Sequence, residues 1–145
     1  THTHTHTHTH THTHTHTILE PYVWPLVANI SRVVLRARYE LLPYYYTLFW
    51  HAHVGGATVA RPLFFEFPND VVCYPIDKQF MIGSGVLISP VLQQGAESTV
   101  AYFPSNDNTT IWYDFWTRTH TTSGPARWIA LHTPIDKIQV HVFYS

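Results

Sequence analysis

The stretch His51-Ala52-His53-Val54-Gly55-Gly56-Ala57-Thr58-Val59-Ala60-Arg61-Pro62-Leu63 contains the point at which the chain changes its period. Before Gly55-Gly56, apolar residues recur every three or four positions. After it they recur every second position, so a helix gives way to strands. Upstream, Ile30, Val33, Val34, Ala37, Leu41, Leu42, Tyr45, Leu48, Phe49 and Ala52 form one stripe, with Arg32, Arg36 and Glu40 on another face. The spacing predicts an amphipathic helix of about six turns. Asn29 and Ser31 are its candidate N-caps. Pro43 falls in its interior, where a missing amide hydrogen and crowding of the Tyr39 carbonyl predict a kink. Ahead of it, Pro21 and Pro25 bracket a short Tyr-Val-Trp segment.

Downstream, Thr58–Phe67, Phe80–Ile82, Val86–Leu92, Ser98–Phe103, Thr110–Trp116, Arg127–Leu131 and Lys137–Phe143 read as strands. Turn material separates them: Pro68-Asn69-Asp70, Gly83-Ser84-Gly85, Gln94-Gly95 and Ser105-Asn106-Asp107-Asn108. Val86-Leu87-Ile88 and Val91-Leu92 make a near-continuous apolar run, expected of a strand covered on both faces. Ile138, Val140 and Val142 alternate with Gln139 and His141, as in a half-exposed strand. A kinked helix followed by short strands implies an α+β arrangement: an antiparallel β-sandwich preceded by the last helix of another unit.

The N-terminal end is different in kind. Residues 1–17 alternate Thr and His without variation and hold 8 of the 13 histidines. In an extended chain the histidines would share one face and could hold Zn²⁺ or Ni²⁺. Perfect repetition is also what an in-frame ACACAC repeat encodes, and the tract is set aside as a disordered repeat with no part in the fold. The expected organisation is residues 1–17 as a low-complexity repeat, 18–56 as a terminal segment carrying the long helix, and 57–145 as a truncated β-sandwich. No signal peptide is read at the N-terminus, and the true start is expected to lie elsewhere.

Of 145 residues, 8 Phe, 9 Tyr and 5 Trp all lie beyond the tract, as do the 8 Lys+Arg and 9 Asp+Glu. So aromatic a composition belongs to a large core or to a piece cut from one. A net charge of −1 supplies no basic field for nucleic acid. With mean hydropathy −0.09, no run is long and apolar enough to span a membrane. The single cysteine, Cys73, excludes an internal disulfide framework and reads as a small buried hydrophobe.

Few residues invite a catalytic reading. His51 and His53 stand two apart on a helix, on different faces, and cannot share a metal. Gly83-Ser84-Gly85 lacks the first glycine of a nucleophile elbow and precedes a strand, so it reads as a tight turn. Glu66, Asp70, Asp77, Asp114 and Asp136 are sparse. A retaining glycosidase needs two carboxyl groups about 5 Å apart, and this spacing nominates no pair. Asp114, in Trp112-Tyr113-Asp114-Phe115, is the best single candidate, yet no catalytic, cofactor or metal residue is expected. Asn29-Ile30-Ser31 and Asn108-Thr109-Thr110 fit the N-glycosylation motif, and Asn108, in a polar loop, is the credible acceptor. Surface aromatics could stack on sugars, although most must be core.

Several stretches together resemble one family. Leu35-Arg36-Ala37-Arg38-Tyr39-Glu40-Leu41-Leu42-Pro43-Tyr44-Tyr45-Tyr46-Thr47-Leu48 is similar to the R-Y-x-L-L-P-Y-x-Y-T-L helix of glycoside hydrolase family 31. Thr58-Val59-Ala60-Arg61-Pro62-Leu63-Phe64-Phe65-Glu66-Phe67-Pro68 resembles its T-V-A-R-P-L-F-x-E-F-P segment. Gln79 to Leu92 resembles Q-F-L-W-G-x-x-L-L-I-S-P-V-L, with Met81-Ile82 in place of Leu-Trp. Trp112-Tyr113-Asp114 matches W-Y-D, and Ile135 to Val142 resembles L-D-K-I-x-V-H-V. The wording is nearest to the maltase-glucoamylase, sucrase-isomaltase and acid α-glucosidase group.

The resemblance implies a (β/α)₈ catalytic barrel whose last helix lies in residues 21–56, followed by most of a proximal β-sandwich. It implies a parent enzyme that hydrolyses terminal α-linked glucose from oligosaccharides with retention, needs no cofactor, and belongs to the secretory pathway, the lysosome or the exterior. The family's W-x-D-M-N-E nucleophile stretch and its acid/base do not occur here, so no catalytic residue carries over. After His141-Val142 the family continues R-G-G or R-A-G, whereas this chain reads Phe143-Tyr144-Ser145. The expectation is a scaffold fragment, inactive alone. The alternative is a non-catalytic sugar-binding or interaction β-module, which the leading helix disfavours.

Overall fold

A computed structural model describes residues 20–144. The Thr-His tract lies outside the described residues. The chain opens with a 3-10 turn, Pro21–Val23, and runs into helix α1, Pro25–Glu40, then helix α2, Leu42–Gly55. The single kinked helix expected from the sequence is two helices meeting at Leu41. Pro43 occupies the first turn of α2, where its missing amide hydrogen has no intrahelical partner to lose. The amide of Leu41 caps the end of α1 by donating to the carbonyls of Ala37 and Arg38, each at 3.2 Å. α1 begins earlier than Asn29 or Ser31 would set it. Trp24 occupies the N-cap and Pro25 the first helical position, so proline starts the helix rather than a capping side chain. Gly56, at φ +70, ends α2 in the left-handed conformation as expected.

The strands are β1 (Ala60–Arg61), β2 (Phe80–Ile82), β3 (Val86–Ser89), β4 (Ser98–Phe103), β5 (Ile111–Asp114), β6 (His120–Ser123), β7 (Arg127–His132) and β8 (Gln139–Tyr144). They form a six-stranded antiparallel sheet in the order β1-β2-β3-β8-β5-β6, and a two-stranded sheet, β4-β7. The expected strand Thr58–Phe67 is only β1; its second half is a helical turn, α3, Leu63–Glu66. A strand would have turned Leu63, Phe65 and Phe67 to the core together. Instead Leu63 and Phe67 are buried four apart and Phe65 is exposed, which is the helical spacing. Strand β3 stops at Ser89 because Pro90 cannot donate to the ladder, leaving Leu92 outside it and exposed. Strand β6 has no counterpart among the expected strands. It is a polar, threonine-rich edge strand without apolar alternation.

The large sheet is covered on both faces. On one, Ile82, Val86, Ile88 and Val140 meet Leu48 of α2, with Ala37, Leu41, Tyr44 and Tyr45 alongside. On the other, Met81, Leu87 and Trp112 meet Ala101, Tyr102 and Phe103 of the small sheet, with Leu63, Phe67 and Cys73. Each fully buried side chain of this size contributes about 1.5–3 kcal/mol. This two-sided cover corrects the expectation for β8: Gln139 and His141 are not exposed but 3% and 1% accessible, facing the small sheet.

Polar side chains tie the two sheets together. The buried Gln79 donates from Nε2 to Ser89 Oγ at 2.8 Å and to the Tyr102 carbonyl at 3.2 Å, and its Oε1 accepts from the Tyr102 amide at 2.7 Å. Gln139 Nε2 donates to the His132 carbonyl at 2.6 Å.

Candidate functional site

Each ionisable side chain singled out in the sequence can be placed. Asp114 ends β5, opposite His141 of β8. Its Oδ1 accepts from the amides of Trp116 and Thr117, both at 2.8 Å, and its Oδ2 pairs with Lys137 Nζ at 2.8 Å. Burial pushes this carboxyl up, but the Lys137 hydrogen bond and charge and the two amides outweigh it and hold it below the usual range. Oδ1 is therefore committed to the Asp114–Thr119 turn and Oδ2 to Lys137 between β7 and β8. A group kept ionised and saturated in this way is a poor proton donor and a hindered nucleophile.

Glu66 and Asp70 are similarly engaged, whereas Asp77 and Asp136 are exposed. Glu66 is paired with Arg61 across the β1–α3 corner. Asp70 accepts from the Val72 amide at 3.1 Å and from Tyr102 Oη at 2.6 Å. Cys73 lies buried beside Asp70 and is a free thiol. Burial first, then the neighbouring Asp70 charge, pushes its pKa up to about 12, so it is an unreactive core residue. His51 and His53 are both exposed on α2. No group of three metal-ligating side chains comes together among the described residues. Ser84 is exposed at the tip of the β2–β3 turn.

The residues that organise this region gave little signal in the sequence. The Tyr44 hydroxyl of α2 donates to the Ile82 carbonyl at 2.9 Å and accepts from the Gly85 amide at 3.1 Å. It thereby grips the β2–β3 turn at both ends. Gly83, at φ +59, sits beneath it: a Cβ there would come within 2.3 Å of Tyr44 Oη and 2.6 Å of Leu48 Cδ2. Gly83-Ser84-Gly85 is thus a tight turn, as expected, and also the seat of α2 on the sheet. His141 is the second such residue. Its ring meets Phe103 edge-on at 4.8 Å and its Nδ1 has no hydrogen-bond partner. Burial is the main influence and lowers its pKa to about 4; Asp114 acts against this and Lys137 with it. It is a neutral core ring.

A cleft of about 830 Å³ lies between Val34 of α1, Pro90 and Val91, and the β7–β8 connection from His132 to Ile138. Its lining has no Phe, Tyr or Trp ring to stack on a sugar. The fold and this geometry define a helix pair docked on a two-sheet antiparallel sandwich, with Glu66, Asp70 and Asp114 committed to structure.

The chain belongs to glycosyl hydrolase family 31. Residues 56–143 match the family's C-terminal domain and residues 3–48 its TIM-barrel domain. The helix pair is therefore the end of the barrel and the sandwich the domain that follows it. An alpha-glucosidase of Hordeum vulgare is 46% identical over 126 residues, covering 85% of this chain and 14% of that protein. The crystal structure of a glucosidase II alpha subunit superposes with a TM-score of 0.79 at 32% identity, over 86% of this chain and 13% of that one. A family 31 alpha-xylosidase from a soil metagenome, complexed with xylose, superposes with a TM-score of 0.77 at 30% identity, over 85% and 18% respectively. The chain thus spans only about a seventh of the length of its curated relatives.

Proposed function

We propose that these residues are the scaffold of an α-glucosidase-type hydrolase, with residues 18–56 closing its barrel and residues 57–145 buttressing it. The parent reaction would be retaining hydrolysis of terminal α-linked glucose from oligosaccharides, through a covalent glycosyl-enzyme formed on one carboxylate while a second protonates the leaving oxygen. Neither carboxylate comes from this chain, and no cofactor or metal is called for. A net charge of −1 gives no affinity for nucleic acid.

The observation that carries the proposal is the asymmetry of the helix pair. One face is anchored to the sandwich through Tyr44 and Leu48. Away from that anchor the pair exposes Val33, Leu35, Tyr39, Tyr46, Phe49 and Trp50, an apolar surface of the kind that barrel neighbours would cover. The experiment is direct. The purified 145-residue chain should release no glucose from maltose and no nitrophenol from an aryl α-glucoside above the buffer rate. Steady turnover that disappears in Asp114→Asn would overturn the scaffold reading and make Asp114 catalytic.

A further inference from the structure

The loop between β4 and β5 carries Asn108-Thr109-Thr110, one of two such motifs in the chain, and the two sit in different settings. Asn108 lies in an exposed turn at φ +62, a left-handed conformation that asparagine adopts more readily than most side chains. Its neighbours hold the turn. Asp107 accepts from the Thr109 amide at 3.0 Å and from the Thr109 hydroxyl at 2.7 Å, and Ser105 Oγ accepts from the Asn108 amide at 3.1 Å. The Asn108 side-chain amide takes part in none of these bonds. Asn29, by contrast, lies within α1, and its Oδ1 accepts from Arg32 Nη1 at 2.9 Å.

We infer that Asn108 is an N-glycan acceptor when this polypeptide is made in the secretory pathway. In the modification, Nδ2 of Asn108 attacks C1 of an oligosaccharide carried on a lipid diphosphate. The N–C1 bond forms as the C1–O bond breaks. The electron pair leaves on the diphosphate, and the displaced amide proton passes to solvent.

The motif requires a hydroxyl two residues on, supplied by Thr110. In the folded chain that hydroxyl has no structural use. Thr110 is 1% exposed and its Oγ1 has no hydrogen-bond partner. A buried hydroxyl without a partner costs stability rather than adding to it. The fold thus tolerates Thr110 without using its hydroxyl, and presents Asn108 where an oligosaccharide displaces no core group.

The test is expression of the chain behind a cleavable secretory leader in eukaryotic cells, followed by gel mobility and peptide mass mapping with and without peptide-N-glycosidase. The expected result is one glycosidase-sensitive shift, mapped to Asn108. It should be absent in Asn108→Asp, which keeps the left-handed turn, and in Thr110→Val, which keeps the buried shape. It should persist in Thr110→Ser and in Asn29→Gln. An unshifted wild-type chain whose leader has been cleaved would overturn the inference, as would a shift that survives Asn108→Asp or maps to Asn29.

Discussion

Replacing Gly83 by alanine should loosen the grip of α2 on the β2–β3 turn far more than the same change at Gly85, two residues away. At Gly83 a side chain meets two penalties. The left-handed backbone at φ +59 costs a β-carbon about 1–2 kcal/mol. The new methyl would also stand 2.3 Å from Tyr44 Oη and 2.6 Å from Leu48 Cδ2, so the tyrosine must withdraw or the helix must lift. Overpacking of this kind costs about 1–3 kcal/mol, and each hydrogen bond lost from the Tyr44 hydroxyl about 1 kcal/mol more. With both bonds lost these come to roughly 4–7 kcal/mol.

At Gly85 the backbone is ordinary and a Cβ would lie 3.4 Å from Tyr44 Oη. A change of less than about 1 kcal/mol in either direction is expected there. Tyr44→Phe, which removes only the hydroxyl, should fall between the two. Hydrogen–deuterium exchange of peptides covering residues 80–89 reads the difference locally. Since 1.36 kcal/mol is a factor of ten, Gly83→Ala should speed exchange there by between about a thousand- and a hundred-thousand-fold, with Gly85→Ala near wild type. Equal protection in the two alanine variants would refute the reasoning and mean that the turn is not the seat of α2.

Two more outcomes follow from the same geometry. His141 titrates at about 4 in the fold against 6.5 unfolded, so the unfolded chain binds the extra proton between those values; stability should be flat above pH 6.5 and fall by roughly 3 kcal/mol in total as pH drops to 4, a slope that denaturation midpoints should lose in His141→Phe. The apolar side of the helix pair should make the chain self-associate, and Tyr46→Lys with Val54→Lys, at positions 78% and 65% exposed, should shift it toward monomer in sedimentation velocity with an unchanged far-UV circular dichroism spectrum; a monodisperse wild-type chain would contradict this.

The helix, its end at Gly56 and most strands were legible because each rests on a local signal: apolar period, glycine, or a polar turn. What escaped depended on contacts distant in sequence. Val59 to Phe67 carries a strand-like composition, but Pro62 resets the backbone and the core takes Leu63 and Phe67 from one side of a helical turn. β6 escaped because an edge strand of threonines shows no alternation. The alternation of β8 was real, yet both of its faces are covered, and a periodic pattern cannot tell water from a second layer that accepts Gln139 and neutral His141. Asp114 stood out among the acids by its motif. Its partner Lys137 lies 23 residues further on, and only the pairing of β5 with β8 brings them together. The double use of Tyr44 could not be read at all, since one tyrosine among nine looks like any other.

Gln79 has a bearing on where a further strand could add to the small sheet. It takes both the amide and the carbonyl of Tyr102, so both groups point away from β7, along the open border of a two-stranded sheet. A carboxamide has the donor and acceptor of a peptide unit, and here it acts as a strand one residue long. An unfilled border of this sort is where a foreign strand would add and begin a stack. By occupying Tyr102, next to last in β4, with a side chain that cannot propagate, Gln79 acts as a chain terminator for sheet growth, a role separate from its holding of the two layers together.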